Sequence, residues 1–199
     1  MIPLGYMAKR VEASSGWHEG MRMRPEILDV YSVGACVNDD FADYVDYWKH
    51  IGWWFFDSPE LIQSVARENF IDLQGIKLFY YEAHELEFAD VWRPFAPDPA
   101  WQLQPHVLVP TKKQLEGFDV VVIWAENSPC PDHSPLSCQA LAKELKTNIH
   151  CLFDTFDEAY SALSTGKFSG CEPGALRIFA VYSVDWPSSN STYAKLTVE

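Results

Sequence analysis

Hydrophobic side chains recur along this chain at two spacings, and the switches between them mark its elements. Phe41, Tyr44, Val45, Trp48 and Ile51 fall three and four residues apart. That spacing predicts an amphipathic helix over 40–51, with Asn38 or Asp39 as its N-cap. Ser58-Pro59 is a cap followed by proline at the first helical position; Leu61, Ile62, Val65 and Ala66 continue a second helix that should end near Asn69. Ser134-Pro135 repeats that opening ahead of Leu141, Ala142 and Leu145. Thr155 precedes Phe156, Ala159, Tyr160 and Leu163, with Gly166 as the left-handed stop. Between the helices, 76–81, 120–123 and 176–184 are rich in β-branched and aromatic residues and predict strands covered on at least one face.

The order of these elements repeats. Asp29-Val30-Tyr31-Ser32-Val33, Trp54-Phe55-Phe56-Asp57-Ser58 and Gly75-Ile76-Lys77-Leu78-Phe79 are separated by helices. So are Asp119-Val120-Val121-Val122-Ile123, Cys151-Leu152-Phe153-Asp154-Thr155 and Ala175-Leu176-Arg177-Ile178-Phe179. The expectation is an α/β or α+β fold of two similar strand-helix-strand-helix-strand halves. Residues 1–25 read as an N-terminal extension, 26–91 as the first half, 118–187 as the second and 188–199 as a tail. The connection, 92–117, holds Pro94, Pro97, Pro99, Pro105 and Pro110, too many for a helix or a central strand.

With 199 residues, 48% of them hydrophobic and 15% aromatic, the chain can bury a sizeable core, which excludes a disordered protein. The net charge of −13 is uneven: +2 over 1–25, −11 over 26–100 and −4 over 101–199. An acidic field of this size disfavours direct nucleic-acid binding, which depends on neutralising phosphates. The N-terminus has no apolar signal region and no stretch has the length of a membrane span, so a cytoplasmic location is expected. The odd number of cysteines, Cys36, Cys130, Cys138, Cys151 and Cys171, fits reduced thiols better than a disulfide framework.

Three groups of residues could carry chemistry. Cys130, His133, Cys138, His150 and Cys151 are zinc-ligand types, but they lack knuckle spacing, and adjacent residues on a strand diverge; no metal and no cofactor are expected. His133 beside Asp132 could serve Cys138 or Cys151 as a base, although nothing local brings them together. Glu82, His84 and Glu85 could place a carboxylate and an imidazole on one strand face. Ser164-Thr165-Gly166-Lys167 lacks the earlier glycine of a phosphate loop and reads as a helix end. No catalytic residue is assigned.

What stands out instead is acidic and aromatic. Asp39, Asp40, Asp43, Asp46 and Tyr47 flank Trp48, and Trp53, Glu82, Glu85, Glu87, Asp90 and Trp92 follow. Aromatic anchors with carboxylates for steering suit an interface with a basic protein, and these residues, apart from Trp48, are the candidate partner-binding set. The alternative is that the tryptophans are core and the acids only solubilise the chain. The 153–159 helix opening, Phe153-Asp154-Thr155-Phe156-Asp157-Glu158-Ala159, with its return strand at 176–184, resembles pieces of the cytosolic immunity proteins that bacteria make against polymorphic secreted toxins. The resemblance implies inhibition by binding, an acidic surface occluding a basic toxin such as a nuclease, and it carries no residue roles. A small enzyme using a Cys/His pair and a structural interaction module are the other classes the sequence leaves open, as it does the choice between monomer and homodimer.

Overall fold

A long strand in the middle of the chain organises the sheet. In a computed structural model that describes residues 1–11, 24–33, 41, 55–95, 107–123 and 133–187, the elements are β1 (Ile2–Arg10), α1 (Pro59–Glu68), β2 (Ile76–Ala89), β3 (Val91–Pro94), β4 (Gln114–Ile123), α2 (Pro135–Cys138), a 3-10 turn (Leu141–Lys143), α3 (Phe156–Ser164) and β5 (Ala175–Val184). The sheet order is β1-β2-β5-β4, and every described strand pairing is antiparallel. The fold class is therefore α+β. Glu87 pairs with Arg177 of β5 on one side and Arg93 of β3 on the other, so β3 takes over the edge of β2 that β1 occupies at its start.

Period-two alternation gives the sheet two buried faces. On one, Tyr6, Ala8, Leu78 and Tyr80 pack against Ile62, Val65 and Ala66 of α1, while Val120, Val122, Leu176 and Ile178 pack against Ala159, Ala162 and Leu163 of α3. The other carries Met7, Phe79, Tyr81, Val121, Phe179 and Val181, covered by Tyr31, Val33, Phe55 and Leu152. Charged groups are buried with that second face, Lys9 and Asp119 among them. Lys9 donates to the carbonyls of Tyr31 (2.6 Å) and Ser32 (3.0 Å). Asp119 accepts from the Val33 amide (2.7 Å), the Val120 amide (2.8 Å) and the Ser134 hydroxyl (2.5 Å). Burial nevertheless pushes the Asp119 carboxyl up to about 6, against those hydrogen bonds and the Lys9 charge.

Several local predictions match. Ser58 accepts from the Leu61 amide with Pro59 at the first helical position, and Asn69 caps the other end of α1. Thr155 and Glu158 form a reciprocal capping box, and Gly166 sits at φ +74° after the Thr165 C-cap.

Other expectations need correction. Residues 2–10 are not part of an N-terminal extension, because Ile2–Arg10 form a full strand of the sheet. Residues 29–33 are not a strand but a segment held by the polar bonds above, and among the described residues 55–58 and 151–155 hold single bridges at Phe56 and Phe153 in place of strands. The helix opened by Ser134-Pro135 stops at Cys138, since Ala140 adopts a left-handed φ of +56° and only a 3-10 turn follows. The connection is shorter than 92–117: Val91–Pro94 pair with β2, and β4 starts at Gln114. The helix over 40–51, apart from Phe41, and the tail from 188 lie outside the described residues.

One geometry occurs twice. Gly5 in β1 (φ +132°) and Gly117 in β4 (φ +147°) each sit at a register shift, where an added Cβ would lie 2.6 Å from the carbonyl oxygen of Phe56 and of Phe153 respectively. The next residues, Tyr6 and Phe118, exchange both backbone hydrogen bonds with Phe56 and Phe153. Helix α1 starts three residues beyond Phe56, α3 three beyond Phe153, and each is followed by a strand, β2 or β5.

Candidate functional site

The β2–β3 hairpin turns through Asp90, whose φ of +63° is a left-handed conformation that Asp tolerates. The turn sets Trp92 opposite Phe88, edge to face at 5.3 Å. On α3, Phe156, Tyr160 and Ser164 recur every four residues along one flank, with Ala159, Ala162 and Leu163 on the buried face. The two elements meet there. The Trp92 ring stacks parallel on Tyr160 at 4.4 Å and its Nε1 donates to Ser164 Oγ (3.1 Å). His84 lies against Phe156 (4.9 Å) and Trp92 (5.8 Å). Burial lowers the pKa of His84, assisted by the N-terminal ammonium and Arg177, so this imidazole is disposed to be neutral.

Of the predicted partner residues, Asp39, Asp40, Asp43, Asp46, Tyr47 and Trp53 lie outside the described residues. The other five divide. Glu82 is held by Lys113 (2.5 Å) and the Tyr182 hydroxyl (3.1 Å). Buried Glu87 binds Arg93 Nε (2.7 Å) and faces Arg177 across the strands. Both are structural ion-pair partners, which removes them from the candidate surface. Glu85 stands 3.8 Å from the N-terminal ammonium but keeps its side chain 69% exposed, Asp90 is exposed, and half-buried Trp92 forms the seam with Tyr160, which is 36% exposed. Glu82, His84 and Glu85 do not share a regular strand face, because the β2–β5 register shifts between Ala83 and Glu87. Arg177 fills that irregularity, donating to the His84 carbonyl (3.1 and 2.5 Å) under the Phe95 ring. Tyr160 and Arg177 were missed because their roles depend on partners distant in sequence.

A second polar cluster was also missed. Tyr31 stacks on His150 at 4.0 Å and accepts from Lys77 Nζ (2.5 Å); His150 Nδ1 bonds the Asp29 carboxylate, and its Nε2 stands 3.7 Å from Glu116. Together with Leu28 and Tyr31 amides donating to the Ile149 and His150 carbonyls, it straps 24–33 to 147–150. Its polar groups are spent on one another, which makes it a clamp.

Two of the thiols are poorly placed for catalysis. Burial raises the Cys151 thiol strongly and pushes Cys171 up to about 11. His150 and Cys151 face different neighbours, Asp29 and the α3-side core, and do so from a turn rather than the expected strand. Cys36, Cys130 and Asp132 lie outside the described residues, among which no three His, Cys, Asp or Glu side chains converge as a metal site. No helix among them is long and apolar enough to cross a membrane. Comparison with family models, curated proteins and solved structures finds no match to this chain.

Proposed function

We propose that this chain is an acidic binding protein that neutralises a basic partner by covering its working surface, in the manner of an immunity protein against a basic toxin. The observation that carries the reading is the Trp92–Tyr160 stack: two large aromatics at the surface seam of hairpin and helix, with exposed Glu85 and Asp90 on the same hairpin. Aromatic side chains of this kind give desolvated anchors of low conformational freedom, and rim carboxylates steer a cationic partner. An enzyme that uses Cys151 or Cys171 as its nucleophile is disfavoured by the raised thiols of both.

The test is affinity capture from the native host at low salt. The reading expects a basic protein that is retained, released as ionic strength rises, and inhibited at one-to-one stoichiometry by the purified chain. A captured protein whose activity is unchanged by a stoichiometric excess of the chain contradicts it.

We also infer an internal duplication, in which β1-α1-β2 and β4-α3-β5 are the repeated units. The matched Gly5 and Gly117 contacts support it, as does the register: Tyr80 pairs with Tyr182 and Glu82 with Ala180 around a central Tyr81–Val181 pair. These units differ from the halves expected from the sequence, since β1 takes the place assigned to 29–33.

A further inference from the structure

Beside the aromatic seam, the hairpin turn faces the 165–174 loop across a cavity of about 590 Å³. Its apolar lining includes Phe88, Leu163, Phe168 and Cys171, and Leu163 and Phe168 belong to the core. Its charged lining residues are Asp90 and Glu172, both exposed; among the described residues no Lys, Arg or His lines it. Glu172 is itself 4.0 Å from His133 Nε2, at the limit of an ion pair. The raised Cys171 thiol stays neutral at physiological pH and contributes soft, polarizable wall.

An apolar cavity with two carboxylates and no cation complements a side chain that has a long aliphatic stem and a cationic head. The half-buried Phe88 ring favours a guanidinium, which is planar and more weakly hydrated than an ammonium. Resting on the reading above, we infer that this cavity is the socket for an arginine side chain of the basic partner, with the stem against Phe88 and Pro173 and the guanidinium directed to Asp90 and Glu172. Val91, 65% exposed at the turn, extends the contact surface toward Trp92.

The experiment is an amide NMR titration of the full chain with N-acetyl-arginine amide, and with N-acetyl-citrulline amide as the uncharged counterpart of nearly the same shape. The expected result is saturable shifts at Gly166, Ser169 and Gly174, with citrulline about tenfold weaker because the charge-assisted bonds are lost. The double variant Asp90→Asn, Glu172→Gln should weaken arginine binding by a similar factor; Asn tolerates the left-handed backbone at 90. Equal binding of the two probes, or no saturable shift at these amides, overturns the socket, and either result can be read on the wild-type chain even if the variant fails to fold. A nona-arginine peptide separates this failure from failure of the acidic-partner reading. If it binds at low salt while the arginine amide does not, the socket falls and that reading stands; if neither binds, both fall.

Discussion

The indole of Trp92 lies flat on the phenol ring of Tyr160, with the planes parallel and the centroids 4.4 Å apart. This contact joins a hairpin to a helix that sequence places far away, and it leaves part of both rings facing solvent. Stacked aromatic pairs contribute about 0.5–1.5 kcal/mol beyond the area they bury. A double-mutant cycle with Trp92→Leu and Tyr160→Leu, followed by urea unfolding, should give a coupling in that range. Additivity within about 0.3 kcal/mol would mean the rings are neighbours without mutual stabilisation.

Gly5 and Gly117 make the same demand on the backbone. In each, a methyl group would meet a carbonyl oxygen at 2.6 Å from a φ beyond +130°. Gly5→Ala and Gly117→Ala should each cost about 3 kcal/mol, from steric overlap plus backbone strain. Gly166→Ala, where nothing lies within 4 Å, should cost only about 1 kcal/mol for its positive φ. Chemical denaturation of the three variants checks the ranking, and a tolerated alanine at either strand position would contradict the shared geometry.

Asp119 sets a pH dependence of definite sign. Its folded-state pKa of about 6 lies above the unfolded value, so between about pH 4 and 6 the native state holds a proton that the unfolded chain releases. Its contribution to stability is full below the unfolded pKa and is lost as pH rises through 6, a change of about 3 kcal/mol. Asp119→Asn lacks this term, so its stability relative to the wild type should rise by up to that amount between pH 4 and pH 7. Parallel stability curves for the two proteins would show that Asp119 is ionised throughout.

Cys151 and Cys171 should resist alkylation. With the Cys171 thiol near 11 and Cys151 buried, both should react with iodoacetamide about a hundredfold more slowly than an unstructured thiol at pH 7.5, by peptide mass mapping. Fast labelling of either would revive a cysteine-based enzyme.

The legible parts of the fold were those whose cause is local. Ser58-Pro59, the Thr155–Glu158 box and Gly166 act within one turn of helix, so a few adjacent residues suffice to read them. β1 was missed because Pro3 and Gly5 interrupt its strand pattern and its partner β2 lies some 70 residues on. The true length of β2 was hidden for a different reason: Glu82 and Glu87 look solvated until Lys113, Arg93 and Arg177 are brought beside them. Buried Lys9 is stabilised by two backbone carbonyls, which leave no trace in composition. The candidate site was half legible. Glu85, Asp90 and Trp92 were among the residues singled out, whereas Tyr160 and Glu172 join them only through the packing of α3 and its following loop on the hairpin.

The central claim, that the hairpin–α3 seam receives a basic partner, is tested most directly by association kinetics with the basic protein retained from host extract at low salt. Glu85→Gln with Asp90→Asn should slow association several-fold at low ionic strength and lose that effect at high salt, because rim charges act through steering. Glu26→Gln with Glu144→Gln, which removes the same charge from two exposed sites on other elements, should change the rate little. Equal slowing by both pairs would show that only net charge matters, and an unchanged rate in the Glu85/Asp90 variant would contradict the assignment of the seam.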